Sequence, residues 1–411
     1  MNYYDARETR YPLDRERELL ARLPKQVAHA KAHAPAFAAL LADVNPAAIV
    51  SREALAGLPV VRKSELLELQ KGARPFGGFA AVKWGTGCAR VFASPGPIYE
   101  PEGARKDYWR LARAFYAAGF RAGDLVHNTF SYHFTPAGSM TETAAHALGC
   151  TVFPAGVGQT EQQVAAMLDL RPDAYAGTPS FLRIILDKAD ELGVKIDSLT
   201  KAFVSGEAFP PSQREALAAR GIQAYQAYAT ADIGLIAFET PAREGLVLDE
   251  DILLEIVRPG TGEPVAPGEV GEVVVTSFNP DYPLIRFGTG DLSAVLPGAS
   301  PCGRSNTRIK GWLGRADQTT KVKGMFVHPG QVVAVLKRHP ELGRGRLVVD
   351  NPDHIDRMTL HCELAAPVEG LAEGVAASIR DLTKLRGEVS FCAPGSLAND
   401  GKVIDDVRKY E

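Results

Sequence analysis

Glycines alternate with charged and hydroxyl-bearing side chains in one stretch of the sequence, from Tyr282 to Gly324. An apolar run there ends in Arg286, and a glycine-punctuated turn follows it and leads to a carboxylate at Asp291. Glycine adopts backbone conformations that are closed to other residues, so a ligand can approach the chain closely at such a turn. A second turn, Gly314–Asp317, again joins glycine to charge. The stretch is a candidate ligand site, and its alternative is a pair of ordinary hairpin turns with solvated charges.

The order and spacing of these residues resemble the adenylate-forming superfamily, whose members activate carboxylates as acyl-adenylates. Within it, the phenylacetate–coenzyme A ligase branch is the most similar. The resemblance rests on the run that ends in Thr-Gly-Asp, on the Gly-Arg-x-Asp turn after it, and on further motifs in the same order. It implies that Asp291 and Arg315 contact the ribose of a nucleotide, and that Asp317 is the hinge between two domains.

Composition describes an ordinary globular chain of 411 residues, with 45% hydrophobic and 23% charged residues. That length is enough for two domains. The net charge of −3 gives no sign of nucleic-acid binding, and no apolar run is long enough to predict a transmembrane helix. Residues 1–18 lack the apolar segment of a secretory signal, and the five scattered cysteines fit neither a disulfide framework nor a zinc motif. We expect a cytoplasmic protein without a structural metal and without a nucleic-acid or membrane partner.

Residues 91–101 lie where the resembled family has its phosphate loop, Ser-Ser-Gly-Thr-Thr-Gly-Lys-Pro. In that loop, glycines free N–H groups, hydroxyls donate to phosphate oxygens, and lysine neutralises charge. Ser94 and Gly96 are retained as candidate nucleotide contacts. The residues that replace Thr-Thr-Gly-Lys are Pro97, Ile98, Tyr99 and Glu100. Because a carboxylate about 4 Å from a phosphate costs on the order of 1–4 kcal/mol, we expect a poor triphosphate cradle.

Strand-like and helical patterns alternate from Asp124 to Leu192, after an amphipathic pattern that predicts a helix over Ala104–Ala118. Alternation with short Gly/Pro turns predicts an α/β fold with a parallel sheet. An aromatic cluster follows the first of these strands, and the resemblance implies that it lines the acid pocket. The cluster runs from Phe130 to Phe134, and its best candidates for the pocket are Tyr132, His133 and Phe134, although aromatic residues after a strand are more often part of the core.

Two further segments resemble nucleotide-binding motifs of the family. Ser205–Pro210 resembles a Gly-Glu-Pro turn beside the adenine ring, which implies contacts from Gly206 and Glu207. Tyr228–Asp232 resembles Tyr-Gly-x-Ser/Thr-Glu, in which the tyrosine stacks on adenine and the acidic residue coordinates Mg²⁺. The residues so implied are Tyr228, Ala229 and Thr230 for the nucleotide and Asp232 for Mg²⁺. Aspartate suits that ion because it is a hard oxygen donor.

The residues after Asp317 follow a β-α-β-β-α-β order, which predicts a small α+β domain. We therefore expect residues 1–316 to bind nucleotide and acid, and residues 317–411 to form a mobile lid. Lys402 belongs to a Gly-Lys pair near the end of the chain. It resembles the lysine that neutralises charge during adenylation, whereas a lysine in that setting alone is usually a surface residue.

The resemblance implies an AMP-forming ligase that activates an aromatic carboxylic acid with ATP and Mg²⁺, passes it to coenzyme A, and forms a homodimer. The altered phosphate loop leaves two alternatives open. One is a relative that binds nucleotide or acyl-adenylate without using ATP, and the other is an enzyme that starts from a preformed adenylate or an acyl-CoA. The identity of the acid, and the choice between CoA and a carrier-protein thiol, are also open.

Overall fold

The computed structural model describes residues 3–94, 97–316, 318, 320–352, 355–398 and 402–408. The chain divides into two compact units, Met1–Gly314 and Arg315–Glu411. The helices of the described part are α1 (Pro12–His33), α2 (Pro35–Leu40), α3 (Arg52–Ala56), α4 (Lys63–Gly72), α5 (Ala112–Ala117), α6 (Ala137–Leu148), α7 (Thr160–Leu170), α8 (Pro179–Glu191), α9 (Pro211–Ala219), α10 (Pro329–Arg338) and α11 (Leu371–Thr383). No described helix has the length and apolar character needed to span a membrane.

The strands of the first unit are β1 (Val61–Arg62), β2 (Lys83–Trp84), β3 (Gly87–Ser94), β4 (Ile98–Gly103), β5 (Leu125–Asn128), β6 (Thr151–Phe153), β7 (Ala174–Gly177), β8 (Lys201–Val204), β9 (Gln223–Thr230), β10 (Gly234–Glu239), β11 (Leu246–Leu248), β12 (Ile252–Val257), β13 (Gly271–Ser277), β14 (Phe287–Ser293), β15 (Val295–Leu296) and β16 (Arg308–Ile309). The strands of the second unit are β17 (Thr320–Val322), β18 (Met325–Val327), β19 (Leu342–Asp350), β20 (Arg357–Leu364), β21 (Glu388–Cys392) and β22 (Ile404–Asp406).

The largest sheet of the first unit has the strand order β15-β16-β11-β10-β9-β8-β7-β5-β6. Its β6, β5, β7, β8 and β9 are parallel neighbours, and β10, β11, β16 and β15 extend it with antiparallel pairings. The predicted α/β class with a parallel sheet is confirmed. Because parallel strands end at the same edge of a sheet, the segments that follow β5, β8 and β9 meet at one edge.

Both faces of the central parallel strands β5, β7 and β8 are largely buried, as expected for a sheet covered by helices. Alternate residues of β7 enter different cores: Ala174 and Ala176 pack with α5 and α6, whereas Tyr175 packs with α7, α8 and α9. Helix α8 illustrates why these segments are helical. Its buried residues recur at spacings of three and four, and the Thr178 hydroxyl accepts the Phe181 N–H at its start.

Two smaller sheets flank the main one, with strand orders β1-β14-β13-β12 and β2-β3-β4. Helix α1 packs against the first of them, and Pro35 begins α2. Arg286, which is 2% exposed, joins this sheet to its surroundings. Its guanidinium donates to Glu255 and to the carbonyls of Ala56, Leu58 and Gly262. Arg286, at the end of the apolar run before Asp291, therefore stabilises the packing of this sheet.

The prediction of a helix over Ala104–Ala118 was wrong. The chain forms strand β4 up to Gly103, and α5 begins only at Ala112. Between them, Asp107 and Arg110 have φ values of 47° and 65°, in the left-handed region that interrupts a right-handed helix. The Asp107 carboxylate accepts the Ala112 N–H at 3.1 Å, which satisfies one of the free N–H groups at the start of α5.

The second unit contains a four-stranded sheet of order β21-β20-β19-β22 and a hairpin of β17 and β18. Helices α10 and α11 bury Val332, Val335 and Ile379 in a core shared with Leu347 and Leu360 of the sheet. This unit is α+β, which is the class that the strand and helix order predicted.

Candidate active site

A cavity of about 160 Å³ lies in the first unit where the parallel strands end. Its apolar walls include Leu111, Phe130, Met140 and Phe203. Residues from three predicted motifs also line it, namely Ser94, Gly206 and Ala229–Ala231, and Thr135, Thr141 and Ser205 add hydroxyl groups. A mainly apolar cleft with a few polar groups is the usual form of a small-molecule site.

The aromatic cluster that the sequence suggested for the acid pocket does not line this cavity. Phe134 is 81% exposed, His133 is exposed, and the Tyr132 hydroxyl accepts a hydrogen bond from Asn128 Nδ2 at 2.7 Å. Phe130, from the same segment, lines the cavity together with Met140. Sequence reasoning placed Phe130 in the aromatic cluster but not among its best candidates, although its position two residues after a strand of the parallel sheet was a signal for it. Sequence reasoning missed Met140.

Two predicted nucleotide contacts, Tyr228 and Asp291, bond to each other, and Tyr228 directly precedes Ala229 of the cavity wall. The Tyr228 hydroxyl donates to Asp291 Oδ2 at 2.8 Å and lies 3.1 Å from Thr289 Oγ1. The Trp312 indole N–H donates to the other oxygen, Oδ1, at 3.1 Å. Asp291 is 8% exposed, so its carboxylate is held in one orientation by the ends of two aromatic side chains. Sequence reasoning missed Trp312. The available signal was its position, since it is an aromatic residue two places before Gly314 of the second predicted turn.

Gly206 and Glu207 form the turn that follows β8. Gly206 lines the cavity with φ of 85°, and an added Cβ would have only ordinary contacts, so the backbone conformation is what favours glycine there. Glu207 Oε1 accepts the Ser180 N–H at 2.6 Å, in the first turn of α8. A carboxylate is stabilised at a helix N-terminus by the helix dipole. Thr230, at the end of β9, accepts the Ile233 N–H through its hydroxyl at 3.1 Å.

The predicted metal ligand Asp232 pairs with a lysine that sequence reasoning missed. Its side chain is fully buried, and Oδ2 accepts a hydrogen bond from Lys63, the first residue of α4. Asp232 Oδ1 has no hydrogen-bond partner among the described residues. The Tyr282 hydroxyl, whose pKa is raised by burial and by the nearby carboxylates of Asp232 and Glu100, is also buried without a partner in the described part.

Ser94 and Glu100 face each other across the hairpin of β3 and β4. The Ser94 N–H and hydroxyl both donate to the Glu100 carboxylate, which is 0% exposed. Burial, and then the negative charge of Asp232, raise the pKa of Glu100 to about 8, and Lys63 opposes this shift. The phosphate-loop segment is therefore a hairpin whose polar groups bond to one another.

A resident Mg²⁺ is what the resemblance implies at Asp232, and the residues present fit it poorly. Lys63 already neutralises one oxygen of the carboxylate. Among the described residues, no group of three or more His, Cys, Asp and Glu side chains is arranged to hold a metal ion. Asp232 Oδ1 has no hydrogen-bond partner among the described residues and offers one ligand atom, so the other ligands of a Mg²⁺ ion there would have to come from ATP phosphates and water.

The remaining predicted site residues lie in the second unit or outside the described part. Arg315 is half-buried. Lys402 is exposed, and its Nζ donates to Asp405 Oδ1 at 3.1 Å. Gly96 and Asp317 lie outside the described residues.

This chain is similar in sequence and structure to several known proteins. The family model described as AMP-binding enzyme matches residues 106–279. A phenylacetate-coenzyme A ligase of Aromatoleum evansii is 31% identical over 91% of this chain and 89% of its own length. One of Thermus thermophilus is 30% identical over 94% and 95%. A solved structure of 2-hydroxyisobutyryl-CoA ligase in complex with 2-HIB-AMP and CoA matches with a TM-score of 0.84 and 25% identity, over 100% of this chain and 93% of that one.

Proposed function

The chain belongs to the phenylacetate–coenzyme A ligase family of AMP-binding enzymes, and we propose that it activates an aromatic carboxylic acid with ATP and transfers the acyl group to coenzyme A. The family resemblance found in the sequence is confirmed by these relatives. Members use ATP and CoA, and both are substrates in the reaction proposed for this chain.

The observation that supports this function best is the junction of the cavity with the nucleotide motifs. Ala229–Ala231 and Ser94 line the cavity, and Tyr228, adjacent in sequence to Ala229, bonds to Asp291. An acyl-adenylate joins an acid to a nucleotide through one phosphate, so an enzyme that makes it needs an acid pocket and a nucleotide site that meet. The position of Tyr228 next to Ala229 of the cavity wall, together with its bond to Asp291, supports this relation for the present chain.

The proposed reaction has two steps. A carboxylate oxygen attacks the α-phosphorus of ATP, forms the acyl–phosphate bond and releases pyrophosphate. The sulfur of CoA then attacks the acyl carbon, AMP leaves with the electron pair of the broken C–O bond, and the thiol proton passes to solvent. Asp291 would accept the ribose hydroxyls, and the Tyr228 ring would support the adenine. Mg²⁺ would enter bound to the phosphates of ATP.

The other site residues keep roles that remain proposals. Ser94, Gly96, Gly206, Glu207 and Thr230 would surround the nucleotide. Residues 1–316 would form the nucleotide- and acid-binding domain and residues 317–411 the lid. Arg315, Lys402 and the hinge Asp317 would act from that lid. A homodimer, also proposed, can be measured by sedimentation equilibrium.

The cavity suggests an acid with one ring. An apolar cavity of about 150 Å³ holds a benzene molecule in a protein core, and the cavity here is of about 160 Å³. Its apolar walls offer no charged partner to the far end of the acid. Phenylacetate and benzoate match this description, and a dicarboxylate does not.

The test is product formation by the full chain with Mg·ATP, CoA and a panel of phenylacetate, benzoate, 2-hydroxyisobutyrate and succinate. We expect AMP and an aryl-CoA in equal amounts, detected by chromatography and mass spectrometry. Calorimetry with ATP and with AMP gives an answer that does not depend on the acid. AMP binding without ATP binding, together with no acyl-CoA from any acid, would show that the protein binds adenylates and does not make them.

A further inference from the structure

The positive charge that the family motif carries in its phosphate loop is absent from the hairpin of β3 and β4. Glu100 stands at the position of the loop lysine, and its buried carboxylate accepts both the N–H and the hydroxyl of Ser94. Those two donors would otherwise face a phosphate. Residues 94–100, which contain no lysine or arginine, therefore offer neither a basic side chain nor these two donors to a triphosphate.

A lysine from another element lies at the same end of the site. Lys63 begins α4 and donates to Asp232, which follows Ala231 of the cavity wall. The Lys63 side chain is 21% exposed, whereas that of Asp232 is fully buried. The lysine is thus the member of the pair that a ligand in solution can reach.

Helix α4 also holds the hairpin, through the buried side chain of Gln70. Gln70 Nε2 donates to the Tyr99 carbonyl, and the Tyr99 N–H donates to Gln70 Oε1, both at 2.8 Å. One helix therefore holds strand β4 of the hairpin and carries the lysine that pairs with Asp232. This arrangement fixes Lys63 relative to the segment that replaces the phosphate loop.

We propose that Lys63 supplies the positive charge that holds the phosphates of ATP, in place of a lysine in the loop and of a divalent cation bound by Asp232. Asp232 positions the ammonium group, and Glu100 occupies the two donors of Ser94. This inference rests on the proposed function, because it assigns the phosphate contact of the same nucleotide site.

Calorimetric titration of the full chain with Mg·ATP and with adenosine, which has no phosphate, tests the proposal. Lys63→Gln should weaken ATP binding by roughly 10- to 100-fold, the range for loss of a hydrogen bond to a charged group. Adenosine binding should stay within about twofold of wild type. Lys63→Arg, which keeps the charge, should restore most of the ATP affinity. Lys71→Gln is the matched control, since Lys71 is an exposed lysine of the same helix that pairs with Glu68.

Thermal unfolding of each variant separates this role from a structural one. If Lys63 only stabilises the fold, Lys63→Gln lowers the melting temperature and changes ATP and adenosine binding in parallel, which would overturn the proposal. If the wild-type protein forms acyl-CoA and Lys63→Gln binds ATP as tightly as the wild type does, this inference is overturned and the proposed function stays in place. A wild-type protein that neither binds ATP nor forms acyl-CoA would overturn both.

Discussion

The substitution Asp291→Asn tests the nucleotide site most directly. The Asp291 carboxylate is nearly buried and is held by Tyr228 at 2.8 Å and by Trp312 at 3.1 Å. Asparagine has the same shape but no charge, and one of its two terminal atoms is a donor. The indole N–H of Trp312 cannot accept a hydrogen bond. The amide must therefore turn its oxygen to Trp312 and its NH₂ group to Tyr228, whose hydroxyl can rotate to accept.

The size of the effect follows from the charge that is lost. A hydrogen bond to a charged group contributes about 1.5–3 kcal/mol, and a bond between neutral groups about 0.5–1.5 kcal/mol. One or two bonds from ribose hydroxyls to Asp291 would thus weaken by about 1–3 kcal/mol in total. This corresponds to a rise in the Kd of AMP by roughly 5- to 150-fold, because each 1.4 kcal/mol is a factor of about ten.

Calorimetry with AMP measures this rise, and circular dichroism checks that the variant is folded. Trp312→Phe is the companion variant, since it keeps the carboxylate and removes only one of its two positioning bonds. We expect that change to weaken AMP binding by less than Asp291→Asn, by about fivefold. A folded Asp291→Asn protein whose AMP affinity differs from wild type by less than about threefold would refute the assignment of Asp291 to the ribose.

Three further changes have outcomes that the packing and the charges determine. Arg286→Met should lower the free energy of unfolding by about 3–5 kcal/mol in urea titrations, because it leaves the buried Glu255 carboxylate unpaired. In contrast, Arg105→Met, at an exposed ion pair, should cost less than about 1 kcal/mol, and equal losses would contradict this reasoning. Burial raises the pKa of Asp107 to about 7, so the folded state binds this proton more tightly than the unfolded state does. The stabilisation that comes from this tighter proton binding is complete at a pH below about 4, the ordinary pKa of aspartate, and is lost as the pH rises through about 7. Asp107→Asn should thus unfold at a higher temperature than wild type at pH 8 and lose this advantage at pH 5; a constant difference between the two would count against the raised pKa. Met140→Trp should fill the cavity and abolish acyl-CoA formation while AMP binding is retained, and full activity with phenylacetate would place the acid elsewhere.

The parts of the fold that sequence predicted are those set by local patterns. The alternation of strands and helices from β5 to α8 could be read from periodicity and from glycine and proline turns, because each element has its own signal. The prediction of a helix over residues 104–118 was wrong because Asp107 and Arg110 adopt left-handed conformations. Neither residue type indicates such a conformation in the sequence. The Lys63–Asp232 pair joins positions 169 residues apart. No local pattern indicates that contact, since it depends on how α4 packs in the finished fold.

The role of Glu100 shows how the structure changes the interpretation of one sequence difference. The sequence suggests a carboxylate that faces a phosphate and repels it. In the structure, the Glu100 carboxyl group is fully buried and bonded to the N–H and hydroxyl of Ser94. Burial and the nearby Asp232 raise its pKa to about 8, so at neutral pH it is mostly protonated and carries little charge. ATP therefore lacks two hydrogen-bond donors in the loop, the N–H and the hydroxyl of Ser94, but its phosphates are not repelled by an exposed carboxylate. A loss of donors can be offset by a cation from another element, whereas a repelling charge at the phosphate would have to be removed. The Lys63 ammonium at Asp232 is such a cation, which is why an altered phosphate loop is compatible with an enzyme that uses ATP.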